Sequence, residues 1–189
     1  MYLLHANFVE LKIKEGKNMQ NLKQSKAILN TTTAKRNHDL GNIGELLAFS
    51  LLQKNNFTEI TSANKIKQNF LIADFFAVKN GVRYCISVKT RNKYESNTKG
   101  IKKINARYKL GKKSYQLAEA LSREHECIPA WIAIQVEKEK YSAYFGKLAQ
   151  LNGNRAILMG DKYLKSYECL ALDTEYRFEQ LENNYEYKK

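Results

Sequence analysis

The stretch Leu71–Thr90, LIADFFAVKNGVRYCISVKT, decides the fold. Two runs rich in aromatic and β-branched residues flank Asn80-Gly81. That dipeptide is favoured in type I′ turns, because both central residues need positive φ and the turn's twist matches that of the strands. The stretch therefore reads as an antiparallel hairpin over about residues 71–90. With Asn80 and Gly81 as the loop, Lys79 pairs with Val82, and counting outward puts Asp74 opposite Ser87 on the same face. Lys89 lies two residues beyond Ser87 and shares that face, whereas Phe75, Ile86 and Val88 point the other way. Three polar side chains within strands this apolar need pairing, hydration or a metal ion. One account is a cross-strand ion pair of Asp74 with Lys89 on a wet edge. Phe76 and Cys85 share the face and argue against a plainly wet surface.

Upstream, Leu40–Asn56 reads LGNIGELLAFSLLQKNN, with Ile43, Leu46, Leu47 and Leu51 at helical spacing. Glu45 is out of place on this helix, because its neighbours include Gly41, Ala48, Phe49 and Leu52. Two accounts are open: a capping box with Asn42 at the start of the helix, or a carboxylate held for chemistry. Gly41 and Gly44 would also let the helix approach a sheet closely. Phe57–Thr61 is a candidate short strand.

Downstream, Arg91–Lys113 is basic and polar, punctuated by Gly100 and Gly111, and is expected to be a long functional loop. KSYQLAEALSREHE then reads as a helix, PAWIAIQV as a buried strand, and YSAYFGKL as its hairpin partner across the turn Glu137–Lys140. The stretch NRAILMGDKYLKSYECLALD adds a strand and a short helix. This order predicts one α/β domain with a mixed sheet flanked by helices. Residues 1–36 are expected to form a loosely attached helical segment, 37–173 the domain, and 174–189 a tail.

The charge points to polyanionic partners: 32 Lys and Arg against 19 Asp and Glu give a formal +13. No apolar run approaches transmembrane length, so a membrane partner is not expected. The N-terminus does not read as a secretory signal, which predicts a cytoplasmic location. Cys85, Cys127 and Cys169 match no metal spacing and read as reduced core thiols, and the three histidines are equally isolated.

A helix Glu, a strand Asp, and then acid-x-Lys on the adjacent strand is the pattern of the PD-(D/E)XK nuclease superfamily. The chain resembles it from GNIGE through IAD to ISVKTR, and in element order to about residue 150. Restriction enzymes, Holliday junction resolvases and some toxin tRNases belong to it. The resemblance implies a restriction-endonuclease-like fold and a metal-dependent endonuclease with Glu45, Asp74, Ser87 and Lys89 as catalytic residues. Glu45, Asp74 and the Val88 backbone carbonyl would be ligands to Mg²⁺ or Mn²⁺. DNA is the preferred substrate on this analogy, and a homodimer is one arrangement that many relatives adopt. Ser87 departs from the family, which has Glu or Asp there, and the site loses one negative charge. The Glu, Asp, Ser-x-Lys order resembles certain contact-dependent toxin tRNases. An RNA-cleaving toxin and a non-catalytic nucleic-acid-binding module are therefore the alternatives.

The basic segment that follows the hairpin supplies the expected nucleic-acid contacts: Arg91, Lys93, Lys99, Lys102, Lys103, Arg107, Lys112 and Lys113. Tyr94, Tyr108 and Tyr115 interleave with them as candidates for stacking on unpaired bases.

Overall fold

Helix α1 runs from Thr33 to Lys54 and buries Leu47, Ala48, Leu51 and Leu52, the stripe that the apolar spacing predicts. The computed structural model describes residues 33–66, 72–96 and 100–176. The segment before Thr33, Lys99, and the tail beyond Tyr176 lie outside these residues. The helix starts ahead of Leu40 and crosses the boundary expected at residue 37, since extending a helix already nucleated by packing needs no apolar face of its own. Asn42 and Glu45 therefore lie well inside the helix. A capping box at its start no longer accounts for Glu45.

After β1 (Thr58–Ser62) and the short α2 (Ala63–Ile66) comes the hairpin of β2 (Phe75–Lys79) and β3 (Val82–Asn92). Asn80 and Gly81 have φ of 51° and 73°, the two positive values that a type I′ turn requires. Lys79 pairs with Val82 and Phe75 with Ile86, the expected register.

The expected loop from Arg91 to Lys113 instead contains several short strands among its described residues. Strand β3 runs on to Asn92, β4 (Tyr94–Ser96) pairs with β5 (Lys102–Ile104), and β6 (Arg107–Lys109) follows. Strands of three residues carry no readable alternation, and the partner of β6 comes much later in the chain, so local pattern does not reveal them.

Helix α3 (Ser114–His125), β7 (Ile128–Glu137) and β8 (Lys140–Lys147) form as expected. A 3₁₀ turn (Leu148–Leu151), β9 (Ala156–Leu158), α4 (Asp161–Leu164) and β10 (Glu168–Glu175) complete the described chain. Strand β10 passes the expected tail boundary at residue 174. Asn152 and Gly153 have positive φ, so the Asn-rich stretch there forms a turn.

The central sheet has the order β1-β2-β3-β7-β8-β10. It is mixed: β3 and β7 are parallel across the α3 crossover, and the other pairs are antiparallel. Helix α1 covers one face, packing on Phe75, Ile86, Ile132 and Ile134. The opposite face has two covers. Near β2 and β3, Leu121 of α3 packs with Phe76, Cys85 and Cys127. Over β7 and β8, Tyr108 and Ile157 from the β6–β9 ladder pack with Trp131, Ala133 and Tyr144.

Candidate active site

Asp74 stands where β2 stops. The regular ladder ends at Phe75–Ile86, and the Asp74 N–H donates to the Ile86 carbonyl at 2.8 Å, one residue short of Ser87. On its other side the Asp74 carbonyl accepts from the Ala63 N–H at 2.9 Å. The expected face-to-face pairing of Asp74 with Ser87 is thus replaced by a different contact. The Val88 N–H, which has lost its ladder partner on the β2 side, donates to Asp74 Oδ2 at 2.6 Å. A strand N–H left without a partner needs an acceptor, and this carboxylate supplies one. In an extended strand the N–H and C=O of one residue point to the same side. The Val88 carbonyl therefore also faces the gap left by β2, beside the Asp74 carboxylate.

Ser87 and Lys89 flank Val88 and are both half-buried. They line a cavity of about 260 Å³ between the sheet and the N-terminal half of α3. Asp74 approaches Val88 from the strand edge. The three polar residues of the hairpin thus meet around one residue, though not in the flat row that ideal pairing implies.

Glu45 is positioned by two contacts of α1. At Gly44 a Cβ would overlap the Thr90 hydroxyl, so the helix backbone rests on β3 one residue past Lys89. At Phe49, one turn on from Glu45, the ring lies 6.3 Å from that of Phe75. Glu45 sits between these contacts, on the part of α1 that crosses β3 beyond the end of β2. Gly44 makes the close approach expected of it, while Gly41 has nothing within 4 Å of an added Cβ.

Carboxylates, a peptide carbonyl and a hydroxyl are hard oxygen donors, the kind that Mg²⁺ and Mn²⁺ take. The Asp74 carboxylate and the Val88 carbonyl are donors of this kind. Among the described residues no group of three or more His, Cys, Asp or Glu is placed to hold a metal.

The basic surface divides. Arg91, Lys102, Lys103, Arg107, Lys112 and Lys113 are exposed, and Lys113 also lines the cavity. Lys93 is engaged elsewhere, 3.2 Å from Glu137 and 3.9 Å from Asp173. Burial opposes its charge, but the hydrogen bond and the charge of Glu137 outweigh that and raise its pKa. The tyrosines are not equivalent either. Tyr108 is 1% exposed and its hydroxyl is directed at the Ile134 carbonyl, so it belongs to the core and is closed to bases. The Tyr115 hydroxyl donates to the Asn154 carbonyl at 2.9 Å. Tyr94 remains exposed.

Cys85 and Cys127 are buried free thiols, and Cys169 is exposed on β10, which corrects the expectation of a core thiol there. Sequence reading missed the apolar wall of the cavity, formed by Leu110, Leu117 and Leu148 among others. Leu117 and Leu121 share a stripe of α3 that signals burial, but nothing local joins them to Ser87.

No family model matches the chain, and no curated protein does. Among solved structures it is similar to Hjc of Archaeoglobus fulgidus, a Holliday junction resolvase from an archaeal hyperthermophile. The TM-score is 0.45 and the identity 14%, over 66% of this chain and 89% of that one. No helix of the described residues is long and apolar enough to cross a membrane.

Proposed function

We propose that this chain is a metal-dependent endonuclease that hydrolyses phosphodiester bonds, with DNA the preferred substrate. The observation that carries the reading is the Asp74 carboxylate on the Val88 N–H. It sets a carboxylate and a peptide carbonyl side by side at a strand end, next to Lys89. Asp74, Glu45 and the Val88 carbonyl would hold Mg²⁺ or Mn²⁺, which when bound activates water and neutralises charge developing on the phosphate. Lys89 donates to a phosphate oxygen or to the attacking water, fixing its direction. Ser87 supplies a neutral hydroxyl, so the ligand set carries one charge fewer than with Glu or Asp there. The exposed bases of the β4–β6 region hold the phosphates on either side.

Ser87 favours a second reading on the same site, RNA cleavage as in a tRNase-like toxin. A third, a binding module without catalysis, follows if the missing acid cannot be replaced. The test is incubation with plasmid, single-stranded DNA, junction DNA and total tRNA, with and without Mg²⁺. Cutting of DNA only when the metal is present is the expected result. Cutting of tRNA alone moves the assignment to RNA, and metal-independent binding without cutting leaves the module.

A further inference from the structure

The cavity beside Ser87 and Lys89 joins a few polar donors to an extensive apolar wall. Its walls include Ile72, Leu117, Leu121, Trp131 and Leu148, side chains that offer an apolar surface to the faces of a ring. Its polar groups include Ser87, Lys89, Lys113 and Ser114, hydroxyls and ammonium donors, and no carboxylate of the described residues lines it. At about 260 Å³ it is smaller than a pocket for a drug-sized ligand. A single ring system is the right scale of occupant. A flat ring with apolar faces and carbonyl acceptors on its edge meets all three conditions.

We infer that the cavity receives an unstacked nucleobase of the bound strand, with preference for bases that present carbonyl edges such as thymine or uracil. This rests on the nuclease reading of Asp74 and Lys89 and deepens it, because it names the substrate class as nucleic acid with an unpaired nucleotide beside the scissile phosphate. The tyrosines point the same way. With Tyr108 in the core and the Tyr115 hydroxyl tied to Asn154, Tyr94 is the one of the three tyrosines that stays exposed, so the cavity adds an apolar surface for bases that the basic segment largely lacks. Lys89, which would meet the phosphate, lines the cavity. A base still paired in a duplex must first be extruded at a cost in stacking and pairing, so single strands bind it more readily.

The test is a binding measurement in EDTA, which prevents cleavage. The probes are a fluorescein-labelled thymidine oligonucleotide about twelve residues long and an abasic oligomer of equal length and charge, within the usual single-strand site sizes. The parent is expected to bind the thymidine oligomer about tenfold more tightly, the scale of one well-packed base. Leu117→Phe and Leu148→Phe fill the cavity from two different elements. Each is expected to erase that preference while leaving abasic binding, the internal control for folding, at the parent level. Equal affinity of the parent for the two probes overturns the inference, as does an undiminished preference in both variants. Cleavage by the parent is scored separately with Mg²⁺. Equal rates on duplex and single strand overturn the pocket assignment but keep the nuclease, whereas base-dependent binding without any cleavage overturns the nuclease and keeps the pocket.

Discussion

Gly44 of α1 lies directly on Thr90 of β3, so close that a Cβ at residue 44 would overlap the threonine hydroxyl. Thr90 is 8% exposed, and its hydroxyl has no hydrogen-bond partner among the described residues. The contact sets the height of α1 over the strand that carries Ser87 and Lys89, one residue before Glu45. A small change at Gly44 therefore acts on both the packing and the candidate site.

Gly44→Ala is expected to destabilise the fold by about 1–3 kcal/mol, because overpacking at a helix–strand contact outweighs the better helix propensity of alanine. Thermal unfolding measures it, at roughly 2–4 °C per kcal/mol for a chain of this size. Adding Thr90→Ala removes Oγ1 and Cγ2 but leaves Cβ, so it restores only part of the loss.

Asp74→Asn and Lys89→Ala are each expected to abolish metal-dependent cleavage with little change in melting temperature. The asparagine carbonyl oxygen can still accept from the Val88 N–H, which keeps the strand end capped while removing the charge. Lys89 is half-buried at the cavity wall and carries no core packing. Cleavage at the parent rate by purified Asp74→Asn removes the roles assigned to the site.

The salt dependence of binding separates the basic residues. Lys102→Ala and Lys103→Ala are expected to weaken binding across sequences, each lowering the slope of log K against log salt by up to about 1. Lys93→Ala is expected to leave that slope nearly unchanged, because this ammonium is already paired with Glu137. Titrations by fluorescence anisotropy at several salt concentrations read both effects.

Burial raises the thiol pKa of Cys85 above its ordinary value of 9.0, and a hydrogen bond with Cys127 adds to the rise. A group whose folded pKa is raised contributes stability that is complete below the unfolded pKa and is lost as pH climbs toward the folded one. Urea midpoints are thus expected to hold well below pH 9 and to fall progressively as pH rises above it, less steeply in Cys85→Ala. Buried Tyr108 contributes in the same direction above its ordinary value of 10.0.

The hairpin was readable because one dipeptide sets its turn, its register and the faces of its side chains. Glu45 was readable as an anomaly on α1, although setting the capping box aside required the true start of the helix at Thr33. The course of Arg91–Lys113 was not readable. Its strands are held by β9 and by one another, and its charged residues follow no period. The local slip at Asp74 escaped for a similar reason, since it depends on where β1 and β2 end together. The cavity needed Leu110, Leu117 and Leu148, which come from three parts of the chain and meet Ser87 only in the folded sheet.

Whether Ser87 belongs to a working metal site is decided by the metal dependence of cleavage by the parent and by Ser87→Glu, measured side by side. Ser87 lines the cavity, so a longer glutamate has room at this position. The parent is expected to cleave nucleic acid in Mg²⁺ or Mn²⁺, and Ser87→Glu to reach its half-maximal rate at lower metal concentration because a hard anionic ligand has been added. A parent inert toward every DNA and RNA substrate at all metal concentrations, yet binding them without metal, would contradict this expectation.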